Sequence, residues 1–84
     1  MNPQKLLVKA LRNPAGLRFE ELCALAEAFG FTRVRTNGSH HIFIHPALQE
    51  LVNLQDVAED AKAYQLRQLL RLAERHNLLI GGGS

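Results

Sequence analysis

The chain has 84 residues, with ten basic and eight acidic side chains, one cysteine and 46% hydrophobic residues. This composition is typical of a globular protein and excludes a disordered or collagen-like chain. A chain of this length buries only about 60–65% of the surface that its unfolded form exposes, so we expect a single domain over residues 1–80. No apolar run approaches the roughly 20 residues that span a bilayer, and we therefore expect a cytoplasmic protein without a membrane partner.

Two helices are predicted in the first third of the chain. Residues 3–12 have a helical spacing of apolar side chains, after Asn2 as cap and a proline suited to the first turn. Residues 18–29 have the stripe of a second helix, and Gly30 follows where a left-handed C-terminal cap is expected. The lone Cys23 lies within this apolar pattern, so we interpret it as a small buried residue without a catalytic role.

Residues 32–44 change from a helical to an extended period, and the Asn37-Gly38 pair in their middle is typical of a type I′ hairpin turn. With that loop, the predicted cross-strand pairs are Thr36 with Ser39, Arg35 with His40, Val34 with His41, and Arg33 with Ile42. Because two arginines are costly to bury, we expect the face with Val34, His41 and Phe43 to contact the core. The opposite face then contains Arg33, Arg35 and His40 as accessible residues, together with Ile42 and Ile44, which indicate that this face is partly covered.

A third strand is predicted over residues 51–55, because His45-Pro46 ends the second strand. An acidic loop follows at residues 56–60, and residues 63–76 form a third helix that stops at Asn77. This helix has a basic ridge at every fourth position, a pattern that is more often a solvated face than a binding surface: Arg67, Arg71 and Arg75. Residues 81–84 are interpreted as a flexible linker or a cloning remnant.

The predicted fold is therefore α+β, with a three-stranded antiparallel sheet packed against helices in the order α-α-β-β-β-α.

The charged residues are unevenly divided along the chain. Residues 1–45 have six basic and three acidic residues, whereas residues 46–84 have four basic and five acidic residues. This mild basic surplus in the first half favours a polyanionic partner, but it is weaker than the dense basic stretches of nucleic-acid-binding arms.

Three of the four histidines lie within six residues, at positions 40, 41 and 45. One interpretation is purely structural: His41 packs in the core, His45 caps the strand end and His40 is a surface residue. A zinc site is disfavoured, because consecutive histidines on a strand point to opposite faces and no CxxC pair completes a tetrahedral set. A hydrolase triad is disfavoured as well, because Ser39 has no nucleophile elbow and no identifiable orienting acid.

The remaining interpretation is acid/base chemistry on a phosphodiester. A histidine with an ordinary pKa near 6.5 accepts a proton at neutral pH, and a guanidinium holds a phosphate through two hydrogen bonds. His40 beside Arg33 and Arg35 is a minimal set for cleaving RNA through its own 2′-hydroxyl. DNA lacks that hydroxyl, so such a site acts on RNA and needs no metal or other cofactor to generate the nucleophile.

Short motifs at the hairpin resemble the signature of the HicA toxins, small bacterial mRNA interferases. They are Gly30-Phe31, Val34-Arg35 and the run Asn-Gly-Ser-His-His-Ile-Phe-Ile-His-Pro at residues 37–46. The resemblance extends over about residues 18–78. It implies a double-stranded-RNA-binding-domain-like fold, ribosome-independent cleavage of mRNA, and neutralisation by a HicB antitoxin that covers the active site.

The same resemblance places the catalytic histidine at His40, with His41 as the second candidate because some relatives have it one position later. We expect the RNA to contact basic and turn residues: Arg33, Arg35, Gly38, Ser39, Lys5 and Lys9. Two features depart from the family pattern, namely the additional helix at residues 3–12 and the acidic stretch at residues 56–60, where a basic RNA-contacting loop is expected. They leave open a non-catalytic RNA-binding or antitoxin-binding module of the same fold.

Overall fold

The computed structural model describes residues 2–80, in which three α-helices cover one face of a three-stranded antiparallel sheet. In chain order the elements are α1 (Pro3–Arg12), a single 3-10 turn (Pro14–Gly16), α2 (Phe19–Ala28), β1 (Thr32–Asn37), β2 (His40–Ile44), β3 (Val52–Gln55) and α3 (Ala63–Arg75). The strands lie in the order β1-β2-β3. The predicted α+β class and element order are confirmed, and the tail at residues 81–84 lies outside the described residues.

The predicted helix ends are also confirmed. The Asn2 side chain accepts a hydrogen bond from the backbone N–H of Gln4 (2.8 Å) and so caps α1. After α2, Gly30 adopts a positive φ of 101°, and the N–H of Phe31 donates back to the helix. Asn77, with φ 54°, ends α3 in the same way. Both helices therefore stop at a residue that tolerates the left-handed conformation.

One hydrophobic core lies between the helices and the inner face of the sheet. Its largest fully buried side chains are Phe19, Phe43, Leu17, Leu22, Leu25, Leu54, Leu66 and Leu69. The additional helix α1 contributes Leu6 and Ala10 to this core, so it extends the packed interior. Cys23 is buried as predicted, and burial raises the pKa of its thiol to about 12, so that the thiol stays protonated at neutral pH.

The hairpin between β1 and β2 differs from the prediction. The two turn residues are Gly38 and Ser39, and only Gly38 of these takes a positive φ (62°), while Asn37 is the last residue of β1. Glycine at the first central position is the pattern of a type II′ turn, and the predicted type I′ turn is wrong. The observed pairs near the turn are therefore Asn37 with His40, Thr36 with His41, and Arg35 with Ile42.

A β-bulge in β1 changes the register again. The pairing shifts between Arg33 and Arg35, so that Arg33 lies opposite Phe43 and Val34 is the additional residue. Val34 is 52% exposed and Arg33 points to the core face, so the predicted faces of these two residues are wrong. The alternation of the sequence did not reveal the bulge, because a bulge breaks the two-residue period on which that prediction relies.

The edge strand β3 is fastened to α3 by a buried glutamine. The side chain of Gln65, which is 2% exposed, accepts a hydrogen bond from the backbone N–H of Gln55 (2.5 Å) and donates one to its C=O (2.8 Å). These two bonds pair backbone groups that an edge strand otherwise leaves open to solvent or to another chain. The end of β3 that lies opposite His40 is therefore held in place from both sides.

The acidic segment after β3 forms a tight turn over residues 57–60, with positive φ at Ala58 (53°) and Glu59 (69°). The turn lies against the start of α2, where the N–H of Phe19 donates to the C=O of Glu59 (2.9 Å). Arg18 approaches the carboxylates of Glu59 and Asp60 at 3.7 and 3.5 Å. One basic side chain thus offsets part of the negative charge of the turn.

Within residues 2–80, no helix has both the length and the apolar character needed to cross a bilayer.

Candidate functional site

His40 is the first residue of β2 and lies exposed on the outer face of the sheet, opposite to the helices. Its Nδ1 is 3.2 Å from Oδ1 of Asn53 on β3. Because an amide oxygen only accepts hydrogen bonds, His40 Nδ1 is the donor in this contact. A neutral ring that holds its proton on Nδ1 has its free lone pair on Nε2, which is the atom required to accept a proton from a substrate.

The residues across both neighbouring strands from His40 are polar, whereas Ile42 lies beside it along β2. Asn37 lies directly opposite it on β1 and Gln55 directly opposite it on β3. Arg35 pairs with Ile42, so the predicted direct pair of Arg35 with His40 is wrong. The two residues are diagonal neighbours on the same face, about 7–8 Å apart in a regular antiparallel sheet, and a long side chain spans this separation. The exposed guanidinium of Arg35 can therefore hold a phosphate next to His40.

His41 points to the opposite, inner face. Its ring centroid is 4.7 Å from that of Phe19, and its Nδ1 accepts a hydrogen bond from the guanidinium of Arg33 (3.2 Å). Thr36 Oγ1 is 3.4 Å from the same nitrogen. As predicted from the strand alternation, the two consecutive histidines do not share a site. The contacts of His41 are those of a packed side chain at the edge of the core.

Arg33 belongs to this inner cluster as well. Its guanidinium carbon lies 5.4 Å from the centroid of the Phe43 ring, and a guanidinium nitrogen is 3.9 Å from the Glu20 carboxylate. With its hydrogen bond to His41, the side chain has three partners and is only 28% exposed. The prediction that Arg33 lies on the same face as His40 is therefore wrong.

His45 caps the end of β2, as the structural interpretation predicts. Its Nε2 donates to the C=O of Phe29 (3.1 Å), and its Nδ1 accepts from the N–H of Ala47 (2.9 Å). The ring also packs edge-on against Phe31, with centroids 5.1 Å apart. Both ring nitrogens thus have backbone partners, and the imidazole joins the end of α2 to the end of the sheet.

The other predicted RNA contacts divide into two groups. Gly38 and Ser39 form the exposed turn that directly precedes His40. Lys5 and Lys9 lie on α1, which packs mainly on α2, on the helix side of the sheet. Lys9 Nζ is 2.6 Å from the Glu21 carboxylate and lowers the pKa of that carboxyl. The structure brings the turn, Arg35 and His40 together, and it does not bring the α1 lysines to them.

Asn53 is the residue that the sequence analysis missed. The alternation of Val52, Asn53 and Leu54 already indicates that Asn53 faces outward from β3. Its position next to His40 depends on the register between β2 and β3, which is Ile42 opposite Asn53. The strands are joined by residues 45–51, and a connection of this length does not determine a register, unlike a two-residue turn.

The surroundings of His40 suit an extended polymer. A cavity of about 380 Å³ lies elsewhere, beside Gly30, His45 and Asn77. His40 itself stands on an open sheet face, whereas small ligands bind in concave pockets. Among residues 2–80, no three histidine, cysteine, aspartate or glutamate side chains are grouped closely enough to hold a metal ion.

Comparison with known protein families gives a match. The family model described as HicA toxin of bacterial toxin-antitoxin matches residues 19–74, which extend from the start of α2 to the last turn of α3. No curated protein and no solved structure matches the chain at a significant level. The matched region contains His40, Asn53 and Arg35, and it leaves out α1.

Proposed function

Because this chain belongs to the HicA toxin family and is thus the toxin of a toxin–antitoxin pair, we propose that it is an endoribonuclease that cleaves mRNA in the cytoplasm. His40 is the proposed general base, and the reaction uses no metal ion. The observation that supports this proposal is the exposed His40 ring, whose Nδ1 contacts Asn53 and whose Nε2 is available on an open face of the sheet.

In the proposed reaction, Nε2 of His40 removes the proton from a ribose 2′-hydroxyl. The oxygen then attacks the adjacent phosphorus, the bond from phosphorus to the 5′-oxygen breaks, and a 2′,3′-cyclic phosphate forms. The departing 5′-oxygen takes a proton from water or from the imidazolium. One positioned base contributes about 10² to 10⁴ in rate, so we expect a slow nuclease.

In this proposal, Arg35 and the turn residues bind the RNA next to His40. The Arg35 guanidinium is exposed on the His40 face and binds the nonbridging oxygens of the phosphate that is attacked. Gly38 and Ser39 form the exposed turn at which the RNA backbone approaches His40, and the space beside the Gly38 Cα is open. Arg33 has protein partners and is assigned a structural role.

The proposal is tested by incubating purified wild type, His40→Ala and His41→Ala with a defined RNA in the presence of a chelator. We expect wild type to cleave and His40→Ala to lose at least about 10²-fold in rate, the lower end for a general base. His41→Ala, provided that circular dichroism shows it folded, should retain cleavage. Equal cleavage by wild type and His40→Ala would contradict the proposal.

A toxin of this family has an antitoxin partner, and we propose a HicB-like antitoxin that covers the outer face around His40. Expression of the toxin alone should then arrest growth, and co-expression of the neighbouring antitoxin gene should relieve the arrest. The His40→Ala variant should bind the antitoxin without arresting growth. Growth arrest by His40→Ala equal to that of wild type would contradict the nuclease mechanism.

The alternative is a non-catalytic RNA-binding or antitoxin-binding module. It is favoured by the acidic turn at residues 57–60, which follows the strand end opposite His40 and which repels a polyanion. The N–H of Asp56 donates to the C=O of Ser39 (2.8 Å), so the acidic segment begins directly beside the hairpin turn. Absence of cleavage by wild type, together with binding of RNA or antitoxin, would support this alternative.

A further inference from the structure

We infer that Asn53 is a positioning residue that selects the Nδ1–H tautomer of His40 and so keeps Nε2 free to act as the base. This inference rests on the proposed nuclease function. The contact that carries it joins His40 Nδ1 to Asn53 Oδ1 across the two strands at 3.2 Å. It assigns to a side chain on β3 a role in the chemistry of a side chain on β2.

The position of Asn53 is rigid enough for this role. Val52 and Leu54, its neighbours on β3, are completely buried and hold the strand against the core. One residue further along, Gln65 of α3 binds both the N–H and the C=O of Gln55. The backbone that carries Asn53 is therefore fixed on both sides, and it presents the outward-facing amide to the His40 ring.

The tautomer matters because an exposed neutral imidazole exchanges its proton between two nitrogens. Without a partner, the ring places the proton largely on Nε2, and that nitrogen then cannot accept another proton. A hydrogen-bond acceptor at Nδ1 shifts this equilibrium, in the way that the third member of a catalytic triad orients its histidine. Asparagine does so without adding a negative charge, so it leaves the attraction of the site for RNA unchanged.

The decisive experiment measures both the tautomer and the reaction. The ¹⁵N chemical shifts of the His40 ring, recorded at a pH where it is neutral, should show the Nδ1–H form in wild type and a shift toward the Nε2–H form in Asn53→Ala. Cleavage by Asn53→Ala should fall about fivefold to tenfold in kcat with KM little changed, the size expected for one lost hydrogen bond. Asn37→Ala is the matched control, because it removes the amide opposite His40 on β1 and should leave the tautomer as in wild type.

Asn53→Asp provides a second variant, in which the acceptor is retained and a negative charge is added. Its carboxylate favours the protonated ring, so the acid limb of the pH–rate profile should move to higher pH, with the rate recovered on the alkaline side. The charged residues of the flanking segments, Arg35 and Asp56, are the same in every variant. A purely structural role for Asn53 would lower the stability of Asn53→Ala and leave the tautomer ratio of His40 as in wild type.

The outcomes separate the two proposals. Equal tautomer ratios in wild type and Asn53→Ala would overturn the inference, whether or not the protein cleaves RNA. An unchanged kcat for Asn53→Ala, with His40→Ala inactive, would overturn it and leave the nuclease proposal standing. If wild type does not cleave, the nuclease proposal fails first, and the ring shifts still decide whether Asn53 selects the tautomer.

Discussion

Gly30 and His45 meet at the end of α2 and explain two motifs that sequence reasoning associates with function. Gly30 has φ 101°, and a Cβ built there would be 2.8 Å from Nε2 of His45. The glycine is therefore required both by the backbone conformation and by the space that the imidazole occupies. These residues hold the helix layer to the sheet, and the reactive chemistry is left to His40.

We predict that Gly30→Ala lowers the free energy of unfolding by about 2–3 kcal/mol, because a left-handed alanine costs about 1–2 kcal/mol and the methyl group also displaces His45. Urea denaturation checks this value. Gly38→Ala is the matched control, since its φ is also positive (62°) but no atom lies within 4 Å of the added Cβ. It should lose only about 1–2 kcal/mol, the cost of the backbone conformation.

A double-mutant cycle isolates the steric part. In a His45→Ala background, Gly30→Ala should cost about 1–2 kcal/mol, the value of the backbone conformation alone. The same loss in both backgrounds would show that the imidazole does not restrict residue 30.

At the scale of the elements, single helical side chains connect neighbouring elements. Gln65 of α3 takes the place of a fourth strand for Gln55, and Glu21 of α2 joins two helices at once. One Glu21 oxygen accepts from the backbone N–H of Arg18 (2.9 Å), and the other pairs with Lys9 on α1 (2.6 Å). Each side chain thus satisfies backbone groups and connects two elements.

Gln65→Leu should lower the free energy of unfolding by about 2–3 kcal/mol, because it leaves one donor and one acceptor of Gln55 without their partner. Hydrogen exchange should show reduced protection of the Gln55 amide. Gln68→Leu on the exposed face of the same helix is the matched control and should change stability by less than about 0.5 kcal/mol. Equal effects of the two substitutions would contradict the role of Gln65.

Glu21 makes the stability depend on pH. The side-chain hydrogen bond from Lys9, followed by the backbone N–H of Arg18, lowers the pKa of this carboxyl below its ordinary 4.5. A carboxyl with a lowered pKa in the folded state stabilises the fold above that ordinary value, and the contribution is lost as the pH falls through the folded pKa.

Glu21→Gln should therefore lower the free energy of unfolding by up to about 1 kcal/mol at neutral pH and by little at low pH. Denaturation experiments at several pH values across the acid range measure this difference. Glu27→Gln, an exposed acid at the other end of α2, is the comparison and should show a weaker dependence. A Glu21→Gln penalty that stays constant with pH would contradict the ion pair with Lys9.

At the scale of the whole molecule, the basic residues differ in what they can offer to RNA. Lys9, Arg18 and Arg33 have carboxylate partners within 4.0 Å, whereas Arg35 is exposed on the His40 face. The formal net charge of +2 therefore does not show which basic side chains are available to bind RNA. We expect RNA affinity to depend on few charges, with Arg35 prominent among them.

In the inactive His40→Ala background, we compare how the association constant K for single-stranded RNA depends on salt. Arg35→Gln should reduce the slope of log K against log salt concentration by about 0.7, the value for one phosphate contact to a single strand. Arg33→Gln is the matched control and should leave the slope unchanged. Fluorescence anisotropy with single-stranded RNA at several salt concentrations measures both. A loss of slope in Arg33→Gln equal to that in Arg35→Gln would show that the inner cluster opens to bind RNA.

Much of this architecture could be predicted because it depends on local signals. A few neighbouring residues are enough to predict the helix periods, the position of the hairpin and the helix caps at Asn2, Gly30 and Asn77. The faces of Arg33 and Val34 could not be predicted, because the bulge at Val34 interrupts the two-residue alternation of the strand. Asn53 was missed for a related reason, since the register between β2 and β3 depends on contacts distant in the chain.

The bulge at Val34 bears on how this chain should be aligned with its relatives. A relative whose first strand is regular has one residue fewer between the helix and the Gly-Ser turn, and its alignment requires a single gap at residue 34. Without that gap, the inward-facing Arg33 is aligned with an outward-facing position. A comparison of substitutions at that position then combines a side chain that packs on Phe43 with a side chain that is exposed to solvent.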